Sequence, residues 1–142
     1  MKKTLLLLAA SVACAFPALA QKTYTLTSPD GRLRTTVAAG DALTYAVTLD
    51  GRPLSLTLDN GTTWGIAPRV TGVSRTSVDT AIPSPFYRSA EVRDRYNGLT
   101  LKMRGDWSVE FRAYDDGVAY RFLSDTEGPV EVLGEEFALR LP

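Results

Sequence analysis

Apolar and polar side chains alternate most clearly between Val109 and Phe122. Val109, Phe111 and Ala113 interleave with Glu110, Arg112 and Tyr114. That spacing gives a strand one buried face and one wet face. Asp116-Gly117 follows and offers a two-residue turn with positive φ, which glycine adopts without a Cβ clash. Val118, Tyr120 and Phe122 then resume the alternation. With Asp116-Gly117 as the loop, Phe111 stands opposite Phe122 and Ala113 opposite Tyr120. Arg112 would face Arg121, and Glu110, diagonal to Arg121, would offset that repulsion. A loop of Asp115, Asp116 and Gly117 would set Phe111 against Arg121. A one-residue slip turns an entire apolar row to the other face, so the two-residue loop is preferred.

Elsewhere short apolar runs are punctuated by turn dipeptides, and no stretch carries a helical period. Strands are predicted over residues 23–27, 33–38, 43–49 and 54–58. Ser28-Pro29-Asp30-Gly31, Gly40-Asp41, Asp50-Gly51 and Asp59-Asn60-Gly61 turn the chain between and after them. The span 62–88 is the least regular. Pro68, Pro83 and Pro85 each remove a ladder donor, so a strand there, such as 70–78, must be short or at an edge. Strands over 91–96 and 99–103 flank Asn97-Gly98, read as a turn. Residues 107–114 and 118–123 form the hairpin above, and 130–133 and 137–141 are the last two strands. Strands spaced in this way, with no helices between them, describe an all-β fold, an antiparallel β-sandwich over residues 21–142. The final predicted strand runs straight to Pro142. It would leave an exposed edge, which reads as a cut through a larger domain.

Residues 1–20 are set apart from this pattern. Lys2 and Lys3, an apolar run from Leu5 to Phe16, and Ala18-Leu19-Ala20 make a tripartite signal peptide, with cleavage expected between Ala20 and Gln21. The run falls short of the roughly 20 apolar residues of a membrane-spanning helix. The rival reading is a lipoprotein acylated at Cys14. Ser11 stands three residues before that cysteine, where an aliphatic residue is wanted. Export places the product in the periplasm or outside the cell.

Loss of the leader removes Lys2, Lys3 and the single cysteine. The basic count falls from 16 to 14 against 16 acids, a net charge of −2. That balance argues against nucleic acid or an anionic membrane as partner. The chain has no histidine, which excludes Ser-His-Asp and Cys-His catalysis and His-ligated metals. Asp115-Asp116 and Glu135-Glu136 are the adjacent acid pairs. Paired-carboxylate catalysis needs two acids in different environments across a cleft, whereas neighbours at a hairpin tip are both solvated. Asp115-Asp116 is therefore read as turn chemistry, and no catalytic or metal-binding residue is assigned. Trp64, Trp107, Tyr87 and Tyr96 are the aromatic candidates for stacking on sugar rings. Trp107 is in phase with Val109 and Phe111 and is assigned to the core. Trp64, between Thr63 and Gly65 in a predicted loop, is the candidate carbohydrate-binding residue. The mixed charges Arg88, Glu91, Arg93, Asp94 and Arg95 read as a solvated face, a guarded edge or a contact with another domain.

Several segments, taken in order, resemble the N-terminal domain of glycoside hydrolase family 97. They are Ser28-Pro29-Asp30-Gly31-Arg32-Leu33, Leu43-Thr44-Tyr45 with Asp50-Gly51-Arg52, Arg95-Tyr96-Asn97-Gly98-Leu99, the block from Phe111 to Phe122, and Glu136-Phe137. The resemblance covers essentially all of residues 22–142, and the Phe111–Phe122 block is its most specific part. It implies a β-super-sandwich from an exported α-glucosidase or α-galactosidase. In such enzymes the domain packs on a central (β/α)8 barrel that carries the catalytic carboxylates, with calcium in the active site. No family catalytic or calcium residue matches a position here, so the chain alone is expected to be inactive and to hold no cofactor. The alternative is a free-standing secreted carbohydrate-binding or structural sandwich.

Overall fold

The computed structural model describes residues 22–54, 68–85, 88, 90–129 and 131, and every regular element among these described residues is a β-strand. The first sheet contains β1 (Lys22–Thr27), β2 (Leu33–Ala39), β3 (Leu43–Leu49) and β4 (Arg52–Leu54). The second contains β5 (Val70–Pro83), β6 (Glu91–Met103), β7 (Trp107–Ala113) and β8 (Val118–Ser124). Each sheet is an antiparallel meander in sequence order. The all-β antiparallel reading therefore holds. The predicted strand over 137–141, and most of those over 130–133 and 54–58, fall outside the described residues.

Turn chemistry sets the first sheet. Gly31 has φ 80°, and the Ser28 hydroxyl accepts from the Leu33 amide at 3.0 Å, closing the β1–β2 connection. Asp50 and Gly51 both have positive φ, 49° and 78°, as a tight hairpin of this type requires. β2 then alternates cleanly, burying Leu33, Thr35, Val37 and Ala39. Leu26, Leu43, Tyr45 and Val47 complete that layer. It packs against Leu99, Leu101, Met103, Val109, Phe111 and Ala113 of the second sheet. The Tyr45 ring joins the layers, lying 5.5 Å from Phe111 and 5.8 Å from Tyr120 between centroids. Trp107 packs against this core with its ring 5.9 Å from Phe122.

Three details correct the sequence reading. In the β7–β8 hairpin Phe111 stands opposite Tyr120, Val109 opposite Phe122 and Ala113 opposite Val118. The loop is Tyr114–Gly117, closed by the Tyr114 amide donating to the Gly117 carbonyl at 2.8 Å, and neither Asp116 nor Gly117 has positive φ. The register differs from the expected one by two residues. An even shift keeps every side chain on its predicted face. It also sets Glu110 directly opposite Arg121 and Arg112 opposite Ala119, which removes the arginine pair.

Asn97-Gly98 is not a turn. β6 runs unbroken through it, with Asn97 paired to Ser77 and Gly98 to Thr76. Gly98 is there for space: a Cβ would collide with the Thr76 hydroxyl, and the Tyr96 ring lies over the same spot. β5 is also far longer than the 70–78 expected, although it does lie at a sheet edge and ends at Pro83.

Candidate functional site

The two layers are joined by polar side chains as well as by the core. Among the described residues β1 is an edge strand of the first sheet, and two of its carbonyls are capped from the second sheet. Arg75 donates through Nη1 to the Thr25 carbonyl, and Asn97 through Nδ2 to the Thr27 carbonyl, both at 2.8 Å. Caps of this kind satisfy backbone groups that would otherwise template another strand. One step along, Asp115 links the turns. Its Oδ1 accepts from the Asp30 amide at 2.8 Å, and its Oδ2 accepts from Arg95 Nη1 at 3.1 Å. The sequence marks Asp115 as a solvated turn residue; the structure makes it the bridge between two connections 85 residues apart. No local pattern signals such a contact. In the longer hairpin loop Asp115 is turned toward Asp30 and Arg95.

The outward face of β7 carries a second polar group. Glu110, its side chain 12% exposed, accepts from Arg112 at 3.0 Å and from Arg121. The Arg112 guanidinium lies 4.6 Å over the Tyr96 ring, and Tyr96 packs on Tyr114 at 5.2 Å. Burial pushes Glu110 upward, but the two arginine hydrogen bonds outweigh it and hold the carboxyl below its ordinary value. The Arg112 guanidinium is raised by its hydrogen bond to Glu110 and by one to Tyr114.

Other acids are held by partners in the same way. Asp50 pairs with Arg32 and Asp79 with Arg93, each bidentate with a closest contact of 2.8 Å, and each carboxyl is lowered mainly by that hydrogen bond. Asp30 is lowered by the Ser28 hydroxyl and then by the Arg32 amide. A carboxylate fixed to donors stays ionised and makes a poor proton donor near neutral pH. What these groups do is hold strands in register.

Among the described residues, no three acidic, histidine or cysteine side chains are grouped as metal ligands. Trp64, Tyr87, Cys14, Ala20 and Gln21 lie outside the described residues, as do Glu135 and Glu136. Tyr96 is only 8% exposed and presents no open ring to a sugar. Of the charged run, Arg93 and Arg95 meet Asp79, and Arg95 also meets Asp115, while Arg88 and Glu91 are exposed. No helix of the described part is long and apolar enough to cross a membrane.

Comparison with known proteins bears on what this framework belongs to. A model of the family described as glycosyl-hydrolase 97 N-terminal matches residues 26–142. A retaining alpha-galactosidase of Bacteroides thetaiotaomicron is 54% identical over 140 residues, which is 94% of this chain and 21% of that enzyme. The chain thus spans about a fifth of the length of the curated relative it matches. A glycoside hydrolase family 97 enzyme from Pseudoalteromonas sp. strain K8, solved with acarbose, shares the fold. Its TM-score is 0.58 at 22% identity, over 70% of this chain and 17% of that one. A beta-arabinopyranosidase shares it too, with a TM-score of 0.67 at 22% identity over 84% of this chain and 21% of its own.

Proposed function

The chain belongs to the glycosyl-hydrolase 97 N-terminal family, and from that premise we propose that it is the accessory β-sandwich of an exported α-glycosidase of the α-galactosidase or α-glucosidase class. It packs on a catalytic (β/α)8 barrel and shapes the sugar cleft there. The observation that carries the reading is the 54% identity to a retaining alpha-galactosidase of which this chain spans only 21%. The chemistry of the described residues agrees with it. Glu110, Asp50, Asp79 and Asp115 are each tied to arginine, whereas glycoside hydrolysis needs one acid free to give up a proton and a second across the scissile bond. The calcium that the family resemblance implies would sit in the active site of the whole enzyme. Any contact with an oligosaccharide from this chain would come through Trp64.

In this reading the leader directs the product to the periplasm or beyond, and cleavage leaves Gln21 first. The test has two parts. The purified chain should give no turnover of a chromogenic α-galactoside above a blank. The same chain, replacing the matching fifth of the Bacteroides thetaiotaomicron alpha-galactosidase, should support hydrolysis. Turnover by the isolated chain, or a folded chimera without activity, overturns the reading. Mass spectrometry of the exported product checks the Gln21 terminus.

A further inference from the structure

β5 and β6 outrun the rest of their sheet. β6 pairs with β7 only from Asn97 onward, whereas its pairing with β5 continues from Tyr96–Val78 out to Glu91–Pro83. Residues 78–83 and 91–96 therefore form a two-stranded arm roughly 20 Å long at about 3.3 Å per residue. A ribbon of two strands is marginal in water without something packed on it.

The two sides of the arm differ. The side continuous with the core carries Asp79, Arg93 and Arg95, already joined to one another. The opposite side carries Val78 across from Tyr96, Thr80 across from Asp94, and Ile82 across from Val92. Tyr96 is buried at the root of the arm, but Ile82 and Val92 stand 48% and 46% exposed at its far end, directly opposite each other. Asp94, between those apolar rows, makes no side-chain ion pair or hydrogen bond among the described residues.

We propose that this side of the arm, headed by Ile82 and Val92, is the surface on which the remainder of the parent enzyme docks. The proposal rests on the reading of the chain as an accessory domain and names the contact that makes it one. β-Branched aliphatic side chains fit a dry protein surface and not a sugar, which would need an open aromatic ring. The body available to cover them is large, because about four-fifths of the related alpha-galactosidase lies beyond the matched part. The fitting partner is an apolar patch with a cation or hydrogen-bond donor placed to meet Asp94. A second copy of this chain fits poorly, since a two-fold contact would bring Asp94 against its own equivalent, and the Arg112 guanidinium that reaches this side over Tyr96 is already paired with Glu110.

Backbone amide exchange separates the possibilities. It should be followed in the free chain and in the chimera that carries this chain in place of the matching part of the Bacteroides thetaiotaomicron alpha-galactosidase. Amides in 78–83 and 91–96 should exchange fast in the free chain and about 100-fold or more slowly in the chimera, as for a segment moved from local to global opening. Ile82→Asp with Val92→Asp should leave melting of the free chain unchanged and abolish that added protection. If other segments gain protection in the chimera and the arm does not, the arm proposal fails while the accessory-domain reading stands. If nothing gains protection, both fail. Protection already present in the free chain would mean that the chain's own residues cover the arm, or a second copy if it depends on concentration. Either outcome overturns the proposal.

Discussion

The β2–β3 pair and the β5–β6 arm are both antiparallel ribbons, yet they are written differently in the sequence. In β2 and β3 nearly every second residue is buried: Leu33, Thr35 and Val37 of β2, and Leu43, Tyr45 and Val47 of β3, all face the other sheet.

 Ala39 shares that buried row. In the arm Asp79, Thr80, Ala81, Ile82, Val92 and Arg93 are exposed, and polar and apolar residues fall on both sides. Alternation is the imprint of one-sided burial, not of strand geometry. A strand that meets water on both faces leaves no such imprint, which is why β5 reads as irregular sequence and still forms the longest strand among the described residues.

The largest effect should come from the packed side of that contrast. Phe111 is fully buried against Tyr45 and Tyr120. Phe111→Ala should cost about 3–5 kcal/mol in urea unfolding, enough to threaten the fold. Gly98 marks the root of the arm. Gly98→Ala forces its Cβ onto the Thr76 hydroxyl and should cost about 1–2 kcal/mol, an overpacking penalty. Adding Thr76→Ala should recover much of that loss in a double-mutant cycle, and additive losses would contradict the steric account.

Thr35 tests the covered ribbon in the opposite direction. Its hydroxyl is buried with no hydrogen-bond partner among the described residues. Thr35→Val should therefore raise stability by about 1 kcal/mol, seen as a higher urea midpoint with an unchanged slope.

Acid separates the two regions by a different route. Glu110 in the body and Asp79 in the arm both titrate below their ordinary values of 4.5 and 3.8. A lowered folded-state pKa means that the unfolded chain binds the proton more readily. The stability these groups contribute is present above those ordinary values and is lost as pH falls through them toward the folded ones. Glu110→Gln should flatten the acid limb of global stability, read from urea midpoints between about pH 5 and 3. Asp79→Asn should leave that limb in place and speed amide exchange only in the arm. The smallest effect is expected at the arm's far end. Ile82→Ala in the free chain should change unfolding free energy by no more than about 0.5 kcal/mol, because its side chain is half exposed. A loss of several kcal/mol there would show that the arm is packed in the isolated chain.

The candidate chemistry was legible to different degrees. Trp107 could be placed against the core from its phase with Val109 and Phe111, and the structure puts it there. The roles of Asp115, Arg75 and Asn97 could not be read. Each meets a backbone group of a strand or turn far away in sequence, and nothing in its neighbours records that partner. The hairpin register shows the boundary within one motif. Alternation identified the inward row, while the register of equal parity that forms is the one in which Glu110 faces Arg121 and Asp115 reaches Asp30 and Arg95.

What the residues decide alone is whatever depends on near neighbours: strand rather than helix, which side chains turn inward, and turns such as Asp50-Gly51 whose backbone needs positive φ. Burial periodicity and local sterics act within a few positions and are therefore written in order along the chain. The pairing of Asp115 with Asp30 and the capping of β1 by Arg75 and Asn97 were settled only when two sheets met, and the run of β6 straight through Asn97-Gly98 only when β5 and β7 paired with it. Those contacts depend on which distant backbone groups and side chains arrive together, and that is a property of the assembled layers.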